Sequence, residues 1–198
     1  MPGISTSTST RRRRGAYFGF AGFGVTVAAV WFGATVFFTF FAGPAFFTEE
    51  MKRMFPPPYN GAVAELVIAR LFILHYVCGF LALAHVGAEW MYSGKEPSRF
   101  SVWLVGGALG LSLLGGLWLQ PKLKDWHQLK YADHYRRAAS AQQRVEAAKS
   151  FGLWHGVSMG MNLVTLLALW ANLARVIQPG EAPRFVSPFN KFGIDKRS

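Results

Sequence analysis

Four apolar stretches, each long enough to cross a bilayer, constrain this chain of 198 residues more than any other feature. They run roughly over 16–47, 62–90, 100–119 and 151–176. A helix rises about 1.5 Å per residue, so about 20 residues cross a hydrocarbon core of about 30 Å. No Asp, Glu, Lys or Arg stands between Arg14 and Glu49, between Arg99 and Lys122, or between Lys149 and Arg175. Helices of soluble proteins are seldom apolar all round for so long. The runs are continuous rather than alternating, which excludes a membrane β-barrel. The expected fold is all-α: an integral membrane four-helix bundle over residues 15–177, leaving no room for a second domain.

The ends are read from composition. Residues 1–14 are rich in Ser and Thr and close on Arg11–Arg14, and are expected to form a disordered basic segment. Basic residues before an apolar run imitate a secretory signal, but this run is far longer than a signal core, so it reads as an uncleaved first span. Residues 178–198, with Pro179, Pro183 and Pro188, are expected to form an irregular tail. The segment over about 122–149 is rich in Ala, Gln, Lys and Arg and is expected to be a helical loop outside the membrane. Gly43-Pro44 is expected to end or kink the first span, and Pro121 to bend the third.

The net charge of +11 does not indicate nucleic acid. The basic residues sit at span ends, where they meet lipid headgroups and set topology. The partner implied is the lipid bilayer. Arg11–Arg14 favour a cytoplasmic N-terminus, whereas the seven basic residues over 122–149 favour the same side for a loop that four spans place opposite. The first helix usually dominates. Both termini are therefore expected to be cytoplasmic, in a bacterial inner (plasma) membrane. The single cysteine, Cys78, excludes an intramolecular disulfide and any paired-cysteine metal site. Gly106 and Gly110, with Gly15 and Gly19, form small-residue faces suited to close helix approach and to a homo-oligomer.

Two spans carry polar side chains on one face. In the second, His75, Cys78, Ala82, His85 and Glu89 follow spacings of 3, 4, 3 and 4. In the fourth, His155, Ser158, Asn162 and Thr165 repeat the pattern, with Asn172 one heptad further on. Polar groups in hydrocarbon need partners, so both stripes are expected to face the bundle interior. The bland reading is packing: hydroxyl and amide groups that bond across helices, a Cys78 that fills core, and a Glu89 at the interface. The sharper reading is a cofactor. Neutral imidazole ligates haem and copper, and two histidines on different helices can sandwich a haem, so His75 and His155 are the candidate ligands for a haem b or a copper ion. His127 and His134 fall in a charged segment and are expected to be solvated. A hydrolase is disfavoured, because the His155/Ser158 pair has no acid partner inside the membrane.

Four patches carry a resemblance. They are Trp31-Phe32-Gly33 through Thr39-Phe40-Phe41 and Pro44 to Phe46-Phe47; Met54-Phe55-Pro56; Trp118-Leu119-Gln120-Pro121-Lys122; and Phe151 with His155-Gly156-Val157-Ser158 and Asn162-Leu163. In this order the chain resembles the domain-of-unknown-function-4149 family, which includes the eukaryotic transmembrane protein 205, over about residues 25–176. The resemblance implies a four-span membrane protein without an assigned biochemical activity, more in the character of a transport-related component than an enzyme. A more distant similarity to four-helix membrane proteins of the copper-resistance-D type implies haem or copper, although the first span has no histidine to match a ligand there.

Overall fold

The computed structural model describes residues 6–93 and 96–177, and every regular element among them is helical. The first rod is α1 (Thr6–Phe37), a π-helical segment (Phe38–Ala42) and α2 (Gly43–Ala45). A short surface helix, α3 (Glu49–Met54), leads to the second rod, α4 (Tyr59–Ser93). The third is α5 (Arg99–Leu113), a second π-helical segment (Leu114–Leu119) and α6 (Gln120–Lys130). The fourth is α7 (Ala141–Ile177). Four helices are long and apolar enough to cross a membrane: Gly22–Ala45, Tyr59–Met91, Arg99–Lys130 and Ala141–Ile177. Each rod packs beside the next in sequence, and α7 closes the ring against α1.

The helices reach beyond the apolar limits read from the sequence. α1 already runs from Thr6 through Arg11–Arg14, where composition indicated disorder. Once a membrane span has nucleated a helix, each further residue adds one hydrogen bond at little cost. The 122–149 segment is likewise not one loop helix. It is the end of α6 and the start of α7, parted by a turn over 131–140. A capping box starts α7: Gln143 N–H donates to Ser140 Oγ at 3.2 Å, and Ser140 N–H to Gln143 Oε1 at 2.8 Å. The turn is tied down by Arg137, which donates to Asp125 at 2.6 Å, and by Arg144, whose guanidinium grips Asp133. The C-terminal tail, 178–198, and residues 1–5 lie outside the described residues.

Both π-helical segments end two residues before a proline, Pro44 and Pro121. Proline lacks the donor and clashes with the carbonyl four residues earlier, so the ladder steps to a wider turn. The expected kinks therefore take the form of π-bulges. The expected glycine face behaves differently. A Cβ on Gly106 or Gly110 would meet nothing within 4 Å, so these two face outward. Close approach falls instead on Gly79, where a Cβ would sit 2.7 Å from Leu109 Cδ1. Gly15 and Gly19 lie in the part of α1 described by its backbone alone.

Candidate functional site

Two side-chain hydrogen bonds fasten the first rod to its neighbours. Trp31 is fully enclosed, and its Nε1–H donates to His75 Nδ1 on α4 at 2.7 Å. Asn162 on α7 donates from Nδ2 to Thr39 Oγ1 at 2.8 Å. Trp31, Thr35 and Thr39 are four residues apart and share a face. The hydroxyls of Thr35 and Thr39 donate back to the carbonyls of Trp31 and Thr35, at 2.8 and 2.7 Å. The first rod, rich in phenylalanine, thus carries a polar line of its own. The i, i+4 spacing of Trp31, Thr35 and Thr39 was the sequence signal for it.

Beside this line the bundle opens. A slot of about 610 Å³ runs between the rods from His75, Ser112 and Thr165 at its inner end to Glu65, Lys124 and Lys130 at its outer end. His155, Ser158 and Asn162 line it as well, so the fourth-span stripe shares the slot with one member of the second-span stripe, His75. The remaining stripe residues do not join them. Cys78 packs in the apolar core beneath, with Ala82, Val105 and Leu109. His85 lies against α1, where a Cβ on Gly24 would fall 2.3 Å from its Nε2. Glu89 is exposed near the end of α4, and Asn172 is buried further along α7.

The outer end holds the largest departure from expectation. His134 is exposed as anticipated, but His127 is 6% exposed. Because α6 continues the third rod, His127 turns inward and packs edge-on against Tyr131 and Tyr135, beside Phe151. Its Nδ1 lies 3.3 Å from Glu65 Oε1 on α4. Gly61 makes room for the ring, since a Cβ there would sit 2.6 Å from His127 Nε2. Tyr135, in the turn, has its phenol pushed above the usual range by burial first and then by Glu65, Tyr59 and Tyr131. The phenol therefore stays protonated, as a donor, at neutral pH.

The membrane level is marked by aromatic groups. Trp118 and Trp154 meet edge to face at 5.5 Å, and Trp126 stacks on Trp154 at 6.2 Å. Lys122 Nζ stands 4.4 Å over the Trp118 ring. Tryptophan and lysine gather where hydrocarbon meets headgroup. Glu65, Lys124, His127 and Lys130 line the slot toward the 131–140 turn, and His75, Ser112 and Thr165 line it farther along the rods.

The proposed cofactor ligands can be tested by their donor chemistry. An indole N–H only donates, so His75 Nδ1 is the unprotonated nitrogen, and Nε2 carries the hydrogen while that bond holds. The one lone pair of the neutral ring is spent on Trp31. A haem iron or copper ion needs that lone pair, so His75 in this arrangement does not fit as a ligand. Among the described residues, no three His, Cys, Asp or Glu side chains are gathered as a metal group.

A family model described as Domain of unknown function (DUF4149) matches residues 26–132. The chain belongs to that family. No curated protein and no solved structure matches it. The DUF4149 match covers the first rod from Thr26 onward and the whole of the second and third, including Trp31, Thr39, His75 and His127. The His155-Gly156-Val157-Ser158 patch, the last of the four that carried the resemblance, lies beyond the matched range.

Proposed function

We propose that this DUF4149 protein is a non-enzymatic, transport-related membrane component that receives an amphipathic small molecule in the slot between its four rods. One observation carries the reading: a 610 Å³ slot between the rods is lined by His75 of one stripe and by His155, Ser158, Asn162 and Thr165 of the other, amid mostly apolar walls. Ligand sites are typically about 300–1,000 Å³, mostly apolar, with a few placed polar groups. Here His75 offers a fixed N–H donor, and Ser158 and Asn162 offer further polar contacts. Among the described residues no acid hydrogen-bonds to the Ser158/His155 pair, and the His155 ring instead stacks on Phe151 at 5.6 Å, which supports binding over hydrolysis.

Both termini are placed on the cytoplasmic side of a bacterial inner membrane, on the strength of Arg11–Arg14, and the slot then opens outward. The outward Gly106 and Gly110 face is the place for a homo-oligomer contact. The bilayer is the partner, and nucleic acid is not.

The test is occupancy. The protein extracted in mild detergent is examined by native mass spectrometry for a retained small molecule, beside Ser158→Phe, which fills the slot. Adducts on the wild type that the variant loses, with thermal stability unchanged, are expected. Equal adducts on both would overturn the reading. An absorption spectrum settles the haem or copper alternative: no Soret band is expected, and a band abolished by His75→Ala would show that Trp31 releases the ring to a metal.

A further inference from the structure

The end of the slot farther from the 131–140 turn is enclosed and uncharged. The lined stretches stop there at His75 on α4, at Leu111 and Ser112 on α5 and at Thr165 on α7. His75, Ser112 and Thr165 are each only 4% exposed. The charged lining side chains, Glu65, Lys124 and Lys130, all stand toward the turn.

Two hydrogen-bond donors are left over at the enclosed end. His75 Nδ1 accepts from Trp31 Nε1–H at 2.7 Å, so the neutral ring carries its hydrogen on Nε2. Trp31 belongs to the packed core and does not line the slot. The two nitrogens point to nearly opposite sides of the ring, so Nε2 is turned away from Trp31, toward the space that His75 lines. No other described residue hydrogen-bonds to His75. Thr165 is the second donor. The hydroxyls of Thr26, Thr35 and Thr39 each donate to the carbonyl four residues back, and Ser112 donates in the same way to Ala108 at 2.8 Å. The Thr165 hydroxyl makes no such bond with a described residue and opens on the slot. Buried polar groups in folded proteins are normally satisfied. Two that are not, on different rods and facing one enclosed end, call for an acceptor from outside the chain.

That acceptor is neutral, because an ion at this end would lose its water with no opposite charge beside it. A carbonyl oxygen has two lone pairs, one for each donor. We propose that the slot binds a neutral, largely apolar molecule through a carbonyl oxygen, which accepts from His75 Nε2–H and from the Thr165 hydroxyl. Trp31 is a positioning residue, since its N–H holds His75 in the donating tautomer. This rests on the reading of the slot as a binding site.

The experiment uses the full-length protein in uncharged detergent, labelled isotopically at its histidine nitrogens. The probes are fluorenone, fluorene, which has a methylene in place of the carbonyl, and fluorenecarboxylate. Binding is read by native mass spectrometry, and the His75 tautomer by its imidazole nitrogen resonances, assigned by their loss in His75→Gln. Fluorenone is expected to bind about tenfold tighter than fluorene, to bind tighter than the carboxylate, and to move the His75 Nε2–H resonance. Thr165→Val keeps the side-chain shape and is expected to weaken fluorenone about tenfold with fluorene unchanged. In Trp31→Phe a second His75 tautomer is expected, and fluorenone alone weakens. Equal binding of fluorenone and fluorene, or a His75 resonance that fluorenone leaves in place, overturns the carbonyl assignment. Tighter binding of the carboxylate overturns neutrality, and a single His75 tautomer in Trp31→Phe removes Trp31 from its role. If fluorenone does not bind at all, the carbonyl assignment falls, while the slot reading stands as long as Ser158→Phe removes the adducts kept by the wild type. If Ser158→Phe changes neither those adducts nor fluorenone binding, both readings fall.

Discussion

The two halves of the bundle are built from the same four rods and pack differently. Toward the short 94–98 connection the rods are closed. Val27, Cys78, Ala82, Val105, Ala108 and Leu169 form a continuous core there, and Gly79 lets α4 and α5 meet without a gap. Toward the loops at 46–58 and 131–140 the rods part around the slot. Both π-bulges lie in this half, each set by a proline, and none is found in the closed half among the described residues. Trp31 marks the boundary: its ring belongs to the closed core, and its N–H reaches His75 at the inner end of the slot. A membrane bundle has little hydrophobic drive between its helices, so small residues decide where it closes. Backbone irregularity decides where it opens.

The comparison can be broken most severely at the boundary. Trp31→Ala removes the largest enclosed side chain together with its hydrogen bond, and is expected to cost about 3–5 kcal/mol, read as a large fall in thermal midpoint in detergent. A variant that melts like the wild type would show that the two halves do not share a keystone. Next comes Gly79→Val, which overpacks the closed half against Leu109 and should cost about 1–3 kcal/mol. Gly156→Ala on α7, where a Cβ meets nothing within 4 Å, should stay near neutral under the same assay. If both substitutions behaved alike, the closed half would be no tighter than the rest. Asn162→Leu cuts the tie to Thr39 and should cost about 0.6 kcal/mol, a small shift measurable in a double-mutant cycle with Thr39→Val. A small effect is also expected of Arg144→Gln in the first turn of α7, where it grips Asp133 of the exposed turn: about 0.2–1 kcal/mol and reduced by salt. A larger loss there would mean that the turn braces the slot mouth.

Much of the fold was legible in the sequence. Long charge-free runs dictate spans whatever the surrounding packing, because hydrocarbon tolerates no unsatisfied backbone. The helix ends lie beyond the apolar limits, since hydropathy sees apolar length and not where the hydrogen-bond ladder stops. The break between them was readable after all: Ser140 followed by Gln143 is a capping-box signature. The polar stripes were legible as faces. Their membership was not, because periodicity gives direction around a helix and says little of depth along the bundle. His75 and Cys78 share a face, yet one lines the slot and the other lies in the core below it.

By itself the sequence determined the class, the number of spans, the helical faces of α4 and α7 that carry polar groups and the positions of the two prolines beside which the helix widens. Each follows from local chemistry: apolar length, helical period and a missing backbone donor. Only the tertiary structure decided that His75 gives its lone pair to Trp31, that His127 is buried against Glu65, and that the stripes enclose a slot rather than a packed seam. These depend on how rods distant in sequence align in height and approach one another. A few glycines and two bulges set that alignment together, and no window along one helix contains it.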